Sequence, residues 1–363
     1  MASYSIRLVR SSDLSDLVAL AHHVSFGLTT LSPDPERLQD RIEASHAGDA
    51  PLLVMVDESD KKIVGTAGIF TRVGDARRAE PFYAYRIERS VHQSKSLDVH
   101  HEIDTLHLVK MFNGPTELGT LFVHPEHRGG GKGRLLSLSR FHYMFQHPKM
   151  FDRQVITELR GVVDDQGHSP FWDALGRKFF RVEFPVADAL SARDKRFIAE
   201  LMPPHPIYIP FLAEEGQRVI GEVHQNTRPA RQMLEGEGFY FSKMVDIFDG
   251  GPCLRCDSAA IRSIREAIVC AVAEICPQAI PATASNEPTS GEAAPLECLV
   301  SSVGEPFRLV GCVADRSPGG IRIDASAADR LGVKRGDSVC VSPLKGAASP
   351  FGRDRPILSE QIV

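Results

Sequence analysis

No apolar run in this 363-residue chain approaches the roughly 18 to 20 residues needed to span a bilayer. The opening residues, Met1-Ala2-Ser3-Tyr4-Ser5-Ile6-Arg7, lack both the basic and the apolar region of a secretory signal. A cytoplasmic protein with no membrane partner is therefore expected. A charge excess is missing too: 42 basic residues stand against 47 acidic ones, for a formal net charge of -5, which argues against a general nucleic-acid binder. Seven cysteines, all in the C-terminal third, are too few and too scattered for a disulfide framework and read as reduced thiols. No repeat of solenoid length occurs. The content that remains, 42% apolar and 25% charged, is ordinary globular usage, and the length suggests two or three domains.

The first elements follow from local chemistry. Ser11-Ser12-Asp13 before Leu14, Leu17, Val18, Ala21 and Val24 gives capping residues and then an apolar stripe at helical spacing. Asp34-Pro35 opens a second helix that carries Leu38 and Ile42 and ends at Gly48. Leu52 to Val56 and Lys62 to Phe70, joined by Asp57-Glu58-Ser59-Asp60, read as two antiparallel strands. Leu106 to Val109 and Thr116 to Val123 flank Asn113-Gly114 and are expected to form a hairpin. Leu135, Leu136, Leu138, Phe141 and Phe145 give a helix, Gln154 to Arg160 a strand, and Pro170 to Leu175 a helix start. Pro277 to Pro295 is rich in Ala, Pro, Ser, Thr and Glu and reads as a linker. Short strand candidates follow it at Phe307 to Val313, Gly320 to Ile323 and Ser338 to Val341.

One segment carries most of the chemistry: Glu117-Leu118-Gly119-Thr120-Leu121-Phe122-Val123-His124-Pro125-Glu126-His127-Arg128-Gly129-Gly130-Gly131-Lys132-Gly133. Glycines there let backbone N–H groups approach an anion, and the helix that follows points the positive end of its dipole at the same place. A Walker loop is excluded because Gly131-Lys132 is followed by Gly133 and not by Ser or Thr. A dinucleotide fingerprint is excluded because the sixth position from Gly129 is Arg134. What remains is Arg-x-x-Gly-x-Gly, met by Arg128, Gly131 and Gly133 after a strand.

That segment resembles the coenzyme A loop of the GNAT superfamily of N-acetyltransferases. The resemblance implies an α/β fold with a mixed, mostly antiparallel GNAT-like sheet flanked by helices, here with a small C-terminal β unit. It also implies that Leu121, Phe122, Val123, Arg128, Gly129, Gly131 and Gly133 contact the acyl-CoA. The superfamily closes with a strand, a helix and a Gly-Phe step. Two segments offer this, Val155 to Arg160 with Ser169 to Phe180, and Asn226 to Leu234 with Gly238-Phe239. The chain then divides into 1–185, a GNAT-like acyl-CoA-binding domain; 186–276, a second α/β segment forming a partial repeat or a lid; 277–295, a linker; 296–345, a small β domain; and 346–363, a flexible tail.

Further blocks, among them Glu158-Leu159-Arg160-Gly161, Ser169-Pro170-Phe171-Trp172, Val223-His224 and Asp246-Ile247-Phe248-Asp249-Gly250-Gly251, make the chain similar to the arginine N-succinyltransferases. The similarity implies succinyl-CoA as cosubstrate with no permanently bound cofactor, L-arginine as acceptor, His224 as proton donor, and a homo-oligomer or a heteromer with a paralogous subunit. Histidine suits the task because the amine sheds a proton and the thiolate gains one near neutral pH. Glu117, Glu158, Asp246 and Asp249 are candidates for the guanidinium, and Arg86 and Arg160 for the succinyl carboxylate. Lys110-Met111 stands where that family has Asn-Asp, which leaves ornithine or another amine open, as does acetyl-CoA as donor or a non-catalytic subunit role. Cys253-x-x-Cys256 has no second pair at metal-site spacing, and His22-His23 and His100-His101 read as surface pairs, so no metal is expected.

Overall fold

The computed structural model describes residues 4–24, 28–77, 79–191, 195–281 and 295–346. Strands β1 (Tyr4–Leu8), β2 (Leu52–Asp57) and β3 (Ile63–Phe70) pair antiparallel in chain order. β2 and nearly all of β3 are buried on both faces, so they read in sequence as unbroken apolar runs. Helices α1 (Leu14–Ala21) and α2 (Pro35–His46) connect β1 to β2, and the Asp34 carboxylate caps α2 by accepting from the N–H groups of Glu36 and Arg37. β4 (Phe82–Ser94) and β5 (Val99–Met111) then make a long antiparallel hairpin whose far half is largely exposed.

β6 (Thr116–Val123) returns to pair with β3 and not with β5, which corrects the hairpin expected around Asn113-Gly114. Asn113 does turn the chain, with φ of 50°, but the N–H groups of Asn113 and Gly114 donate to Gly74 and Val73. A good turn dipeptide sets a local reversal; it does not choose the strand's partner.

After α3 (Lys132–Gln146), β7 (Gln154–Glu158) lies parallel to β6. The chain then runs through α4 (Pro170–Ala174), α5 (Gly176–Phe180), α6 (Phe184–Ser191), α7 (Arg196–Leu201), β8 (Ile207–Tyr208) and α8 (Glu214–Val219). It re-enters the sheet through α9 (Arg228–Gly236), β9 (Tyr240–Val245) and β10 (Pro252–Asp257). β10 pairs with β7, and β9 bridges β10 to β4. The two candidate closing segments are thus parts of one closure, strand from the first and helix with Gly238-Phe239 from the second. Within 186–276, expected as a partial repeat or a lid, β9 and β10 lie in the same sheet as β7. Phe239 seals the joint by stacking on Phe141 of α3 with centroids 6.1 Å apart.

The small C-terminal unit is larger than its sequence pattern. After α10 (Arg262–Arg265), β11 (Ile268–Cys276) joins β12 (Leu296–Ser302), β13 (Arg308–Ser317), β14 (Gly320–Asp324) and β15 (Ser338–Pro343). Pairings run β12–β15–β11–β14–β13 and back to β12, a closed five-stranded barrel with α11 (Ala325–Leu331) on β13 and β14. The boundary expected at 277 is corrected accordingly, since 277–295 links two strands of one barrel. Of that stretch 282–294 lie outside the described residues, as does 347–363 of the tail. β1 pairs with β13, and His142 on α3 reaches Ser301 and Ser342 at 3.0 and 2.7 Å, so barrel and main sheet hold α3 between them. No helix among the described residues is long and apolar enough to cross a membrane.

Candidate active site

β6 and β7 pair only at Thr116–Val155 and Glu117–Ile156, and then diverge. Carbonyls on β6 that lose a strand partner there are taken by side chains. Thr157 donates to Leu118 O at 2.9 Å, Arg140 to Gly119 O at 3.5 Å and Thr66 to Thr120 O at 2.9 Å. The β3–β6 register slips at the same place, and Thr120 takes φ of 52°, a β-bulge that bends β6 away. Leu121 and Phe122 line the resulting edge, half-buried, and Arg128 donates from Nε to Val123 O at 3.0 Å while covering the Phe122 ring.

Gly129, Gly130 and Gly131 follow at φ of 85°, 57° and 79°, three left-handed residues in a row that only glycine adopts without strain. Gly131 caps α3, so the free N–H groups of its first turn face the loop. A Cβ on Gly133, in that first turn, would meet nothing within 4 Å. The loop therefore leaves open backbone at a helix N-terminus, where a pyrophosphate is favoured.

A cavity of about 310 Å³ opens nearby, lined by Thr30, Arg37, Tyr83, Glu158, Arg160, Asp188, Lys195, Asp246 and Asp249 among others. That volume suits a small molecule. Its acidic wall comes from two chain segments locked back to back. A Cβ on Gly161 would fall 2.4 Å from Asp249 O, and one on Gly251 would fall 2.1 Å from Leu159 O, so both must be glycine. Asp249 clamps the joint, accepting from Gly161 N at 2.7 Å and Gly251 N at 2.8 Å, while Asp246 accepts from Phe248 N and Asp249 N. Glu117, beside Ile156 on β6, interacts electrostatically with the same group.

Burial raises the proton affinity of all four carboxyls, and mutual repulsion adds to it for Glu117, Glu158 and Asp249. Glu117 is pushed up to about 7, with Lys195 opposing the shift. Oε1 of Glu158 is enclosed without a hydrogen-bond partner. Such a cluster gains most from a cation.

His224 starts the 3₁₀ turn before α9. Its backbone N–H donates to Arg160 O at 2.9 Å, and its Nδ1 accepts from Asn226 N at 3.1 Å. The neutral ring therefore carries its proton on Nε2. Burial first, and then the Arg160 charge, lowers its proton affinity.

Of the residues singled out in the sequence, Glu117, Glu158, Arg160, Asp246 and Asp249 come together, with His224 attached through Arg160. The acyl-CoA candidates Leu121, Phe122, Val123, Arg128, Gly129, Gly131 and Gly133 form one continuous edge and loop. Arg86 is a correction: it lies exposed on β4, paired with Glu88 at 2.7 Å, and is no part of the cavity. Lys110 stands opposite Tyr83 and over its ring, one side chain away from the cavity. Cys253 and Cys256 are three apart on β10, so they point to opposite faces and bury in different cores. Arg37, Tyr83, Asp188 and Lys195 were not foreseen, because they come from α2, β4, α6 and the residue before α7 and share no motif.

The bulged β6, the opening beside it and the glycine loop before α3 lie where the resemblance to acyl-CoA-dependent N-acyltransferases led them to be expected. The family model described as arginine N-succinyltransferase beta subunit matches residues 4–263. The arginine N-succinyltransferase subunit beta of Pseudomonas aeruginosa is 39% identical over 350 residues, 93% of this chain and 98% of that one. The arginine N-succinyltransferase of Salmonella paratyphi B is 40% identical over 345 residues, 92% and 96% of the two chains. The solved arginine/ornithine succinyltransferase subunit AI of Pseudomonas aeruginosa has a TM-score of 0.81 at 31% identity, covering 95% of this chain and 99% of that one. The chain belongs to the arginine N-succinyltransferase family.

Proposed function

We propose that this protein transfers the succinyl group of succinyl-CoA to the α-amine of L-arginine. The observation that carries the reading is the link from the bulged strand, through Thr120 and Thr30, to a cavity walled by Glu158, Asp246 and Asp249, with Arg160 and Lys195 among them. Glu117, Glu158 and Asp246 hold the guanidinium by charge-assisted hydrogen bonds. Leu121 to Val123 carry the pantetheine arm, and Arg128 with Gly129, Gly131 and Gly133 takes the pyrophosphate.

The amine nitrogen attacks the thioester carbon, and the C–S bond then breaks. The neutral His224 ring takes up the proton shed by the amine, and the imidazolium so formed gives a proton from Nε2 to the departing sulfur. Family names that include a beta subunit support a multi-subunit assembly, either of identical chains or with a paralogous one. An acyl-CoA consumer of this kind is expected in the cytoplasm. A carboxylate-lined cavity also accepts a primary ammonium, and a relative named for arginine and ornithine supports ornithine as a second acceptor. The test is a panel of acyl-CoAs and amines on the purified chain, read by thiol release. Turnover with succinyl-CoA and arginine is expected; turnover with acetyl-CoA and none with succinyl-CoA overturns the reading.

A further inference from the structure

We propose that Arg41 binds the free carboxylate of the succinyl group and so selects a dicarboxylic acyl donor; the inference rests on the succinyl-CoA reading above. Arg41 lies one turn beyond Arg37 on α2, hence on the same face. Arg37 lines the cavity, and Arg41 points deeper, toward the sheet. Its Nη1 donates to Ala50 O and its Nη2 to Pro51 O at 3.4 Å, and its guanidinium lies over the Phe70 ring at 4.9 Å. Nε is enclosed and has no partner. Among the described residues no carboxylate stands within ion-pair distance. A half-buried cation surrounded by carbonyls and a ring is an unusual residue to keep, because desolvation is offset only when an anion faces it. Burial lowers its proton affinity to about 10, which leaves it charged at neutral pH.

Position makes the missing anion the acyl tail. A Cβ on Gly68 would sit 2.8 Å from Arg41 Nη2 and 2.9 Å from Thr120 Oγ1, so guanidinium and bulge converge on space that glycine keeps free. Thr120 in turn donates to Thr30 at 3.0 Å, and Thr30 lines the cavity. In this proposal a thioester held along Leu121, the residue after the bulge, extends its two-methylene tail toward this point. Rival cations are engaged elsewhere. Arg160 and Lys195 stand among the acids of the amine site, and Arg140 is only 2% exposed, with Ser137 and Gly119 as its partners.

The test compares succinyl-CoA with butyryl-CoA, which has the same chain length and no carboxylate, in wild type and Arg41→Met, with arginine as acceptor. The ratio of kcat/KM for the two donors is expected to fall at least about 100-fold in the variant, because a site built around a polar contact rejects its absence strongly. Equal loss for both donors, or an unchanged ratio, overturns the assignment in favour of a prop for the Ala50-Pro51 segment. Gly68→Ala is the second variant: it keeps the charge but forces the guanidinium aside, and the ratio should drop in the same direction. An unchanged ratio there counts against the proposal even if Arg41→Met does not fold. A wild-type enzyme that fails with succinyl-CoA refutes the underlying function, whereas a succinyl-selective wild type with insensitive variants refutes only the role of Arg41.

Discussion

His224 and Arg160 are tied by a backbone hydrogen bond of 2.9 Å, and this fixes the His224 ring beside a residue of the cavity wall. The charge of Arg160 adds to burial in disfavouring the imidazolium. In the proposed mechanism the neutral ring is the working form, so kcat should fall as pH drops through the ring's lowered pKa. Arg160→Met removes the repulsion, raises that pKa and moves the acid limb of the kcat profile to higher pH. A pH–rate series on both proteins checks it, and a limb that stays in place breaks the electrostatic link.

Replacing the ring itself separates chemistry from binding. His224→Ala is expected to lower kcat by about 10²–10⁴, the usual worth of one positioned proton-transfer group. Coenzyme A affinity, measured by calorimetry, should not change, since the glycine loop lies on a different connection. Unchanged turnover would show that the proton is handled by another group.

The acid cluster links pH and stability and, in the proposed function, arginine binding as well. Glu117 is raised to about 7 from an ordinary 4.5, so between those values the folded chain holds a proton that the unfolded chain has released. Stability is therefore fully present below the unfolded carboxyl range and declines as pH rises through about 7. Glu158→Gln removes one member of the repelling set. Its melting temperature should exceed that of wild type at pH 8, and the gap should close by pH 5. The same change should raise KM for arginine about 10- to 100-fold by deleting a charge-assisted contact. In wild type, KM for arginine should fall as pH rises through the same window.

How much of this is legible in the sequence depends on how far apart the cooperating residues lie. The glycine loop is legible because Val123 to Gly133 is one continuous stretch and Gly129, Gly130 and Gly131 each take a left-handed φ. His224, Glu158, Asp246 and Asp249 come to notice only through family blocks, and Glu117 only as the start of the loop segment, since nothing local brings Glu117 to Asp246. Their meeting depends on β9 and β10 closing against β7, and on Gly161 and Gly251 permitting backbone contact. Arg37, Tyr83 and Lys195 carry no pattern at all. Ile268 to Cys276 is a short, almost wholly apolar run, and such a run does not say which sheet receives it. The Asn113-Gly114 turn misleads for the same reason.

Gly129 and Gly133 sit four residues apart in the loop and should respond to alanine in opposite ways. Gly129 has φ of 85°, so Gly129→Ala carries the left-handed penalty of about 1–2 kcal/mol. Thermal stability should drop and the loop should shift, weakening coenzyme A. Gly133 lies in the first turn of α3 with open space where a Cβ would go. Gly133→Ala should leave the free protein as stable as wild type, or more stable by up to about 1 kcal/mol from helix propensity. If the pyrophosphate approaches this turn, that methyl group occupies its path, and coenzyme A affinity should fall about tenfold or more, equivalent to about 1.4 kcal/mol. Stability and affinity then move apart, which a structural role for the glycine could not produce. Calorimetric titration with coenzyme A beside a thermal melt decides it, and Gly133→Ala binding as tightly as wild type would remove this turn from the phosphate site.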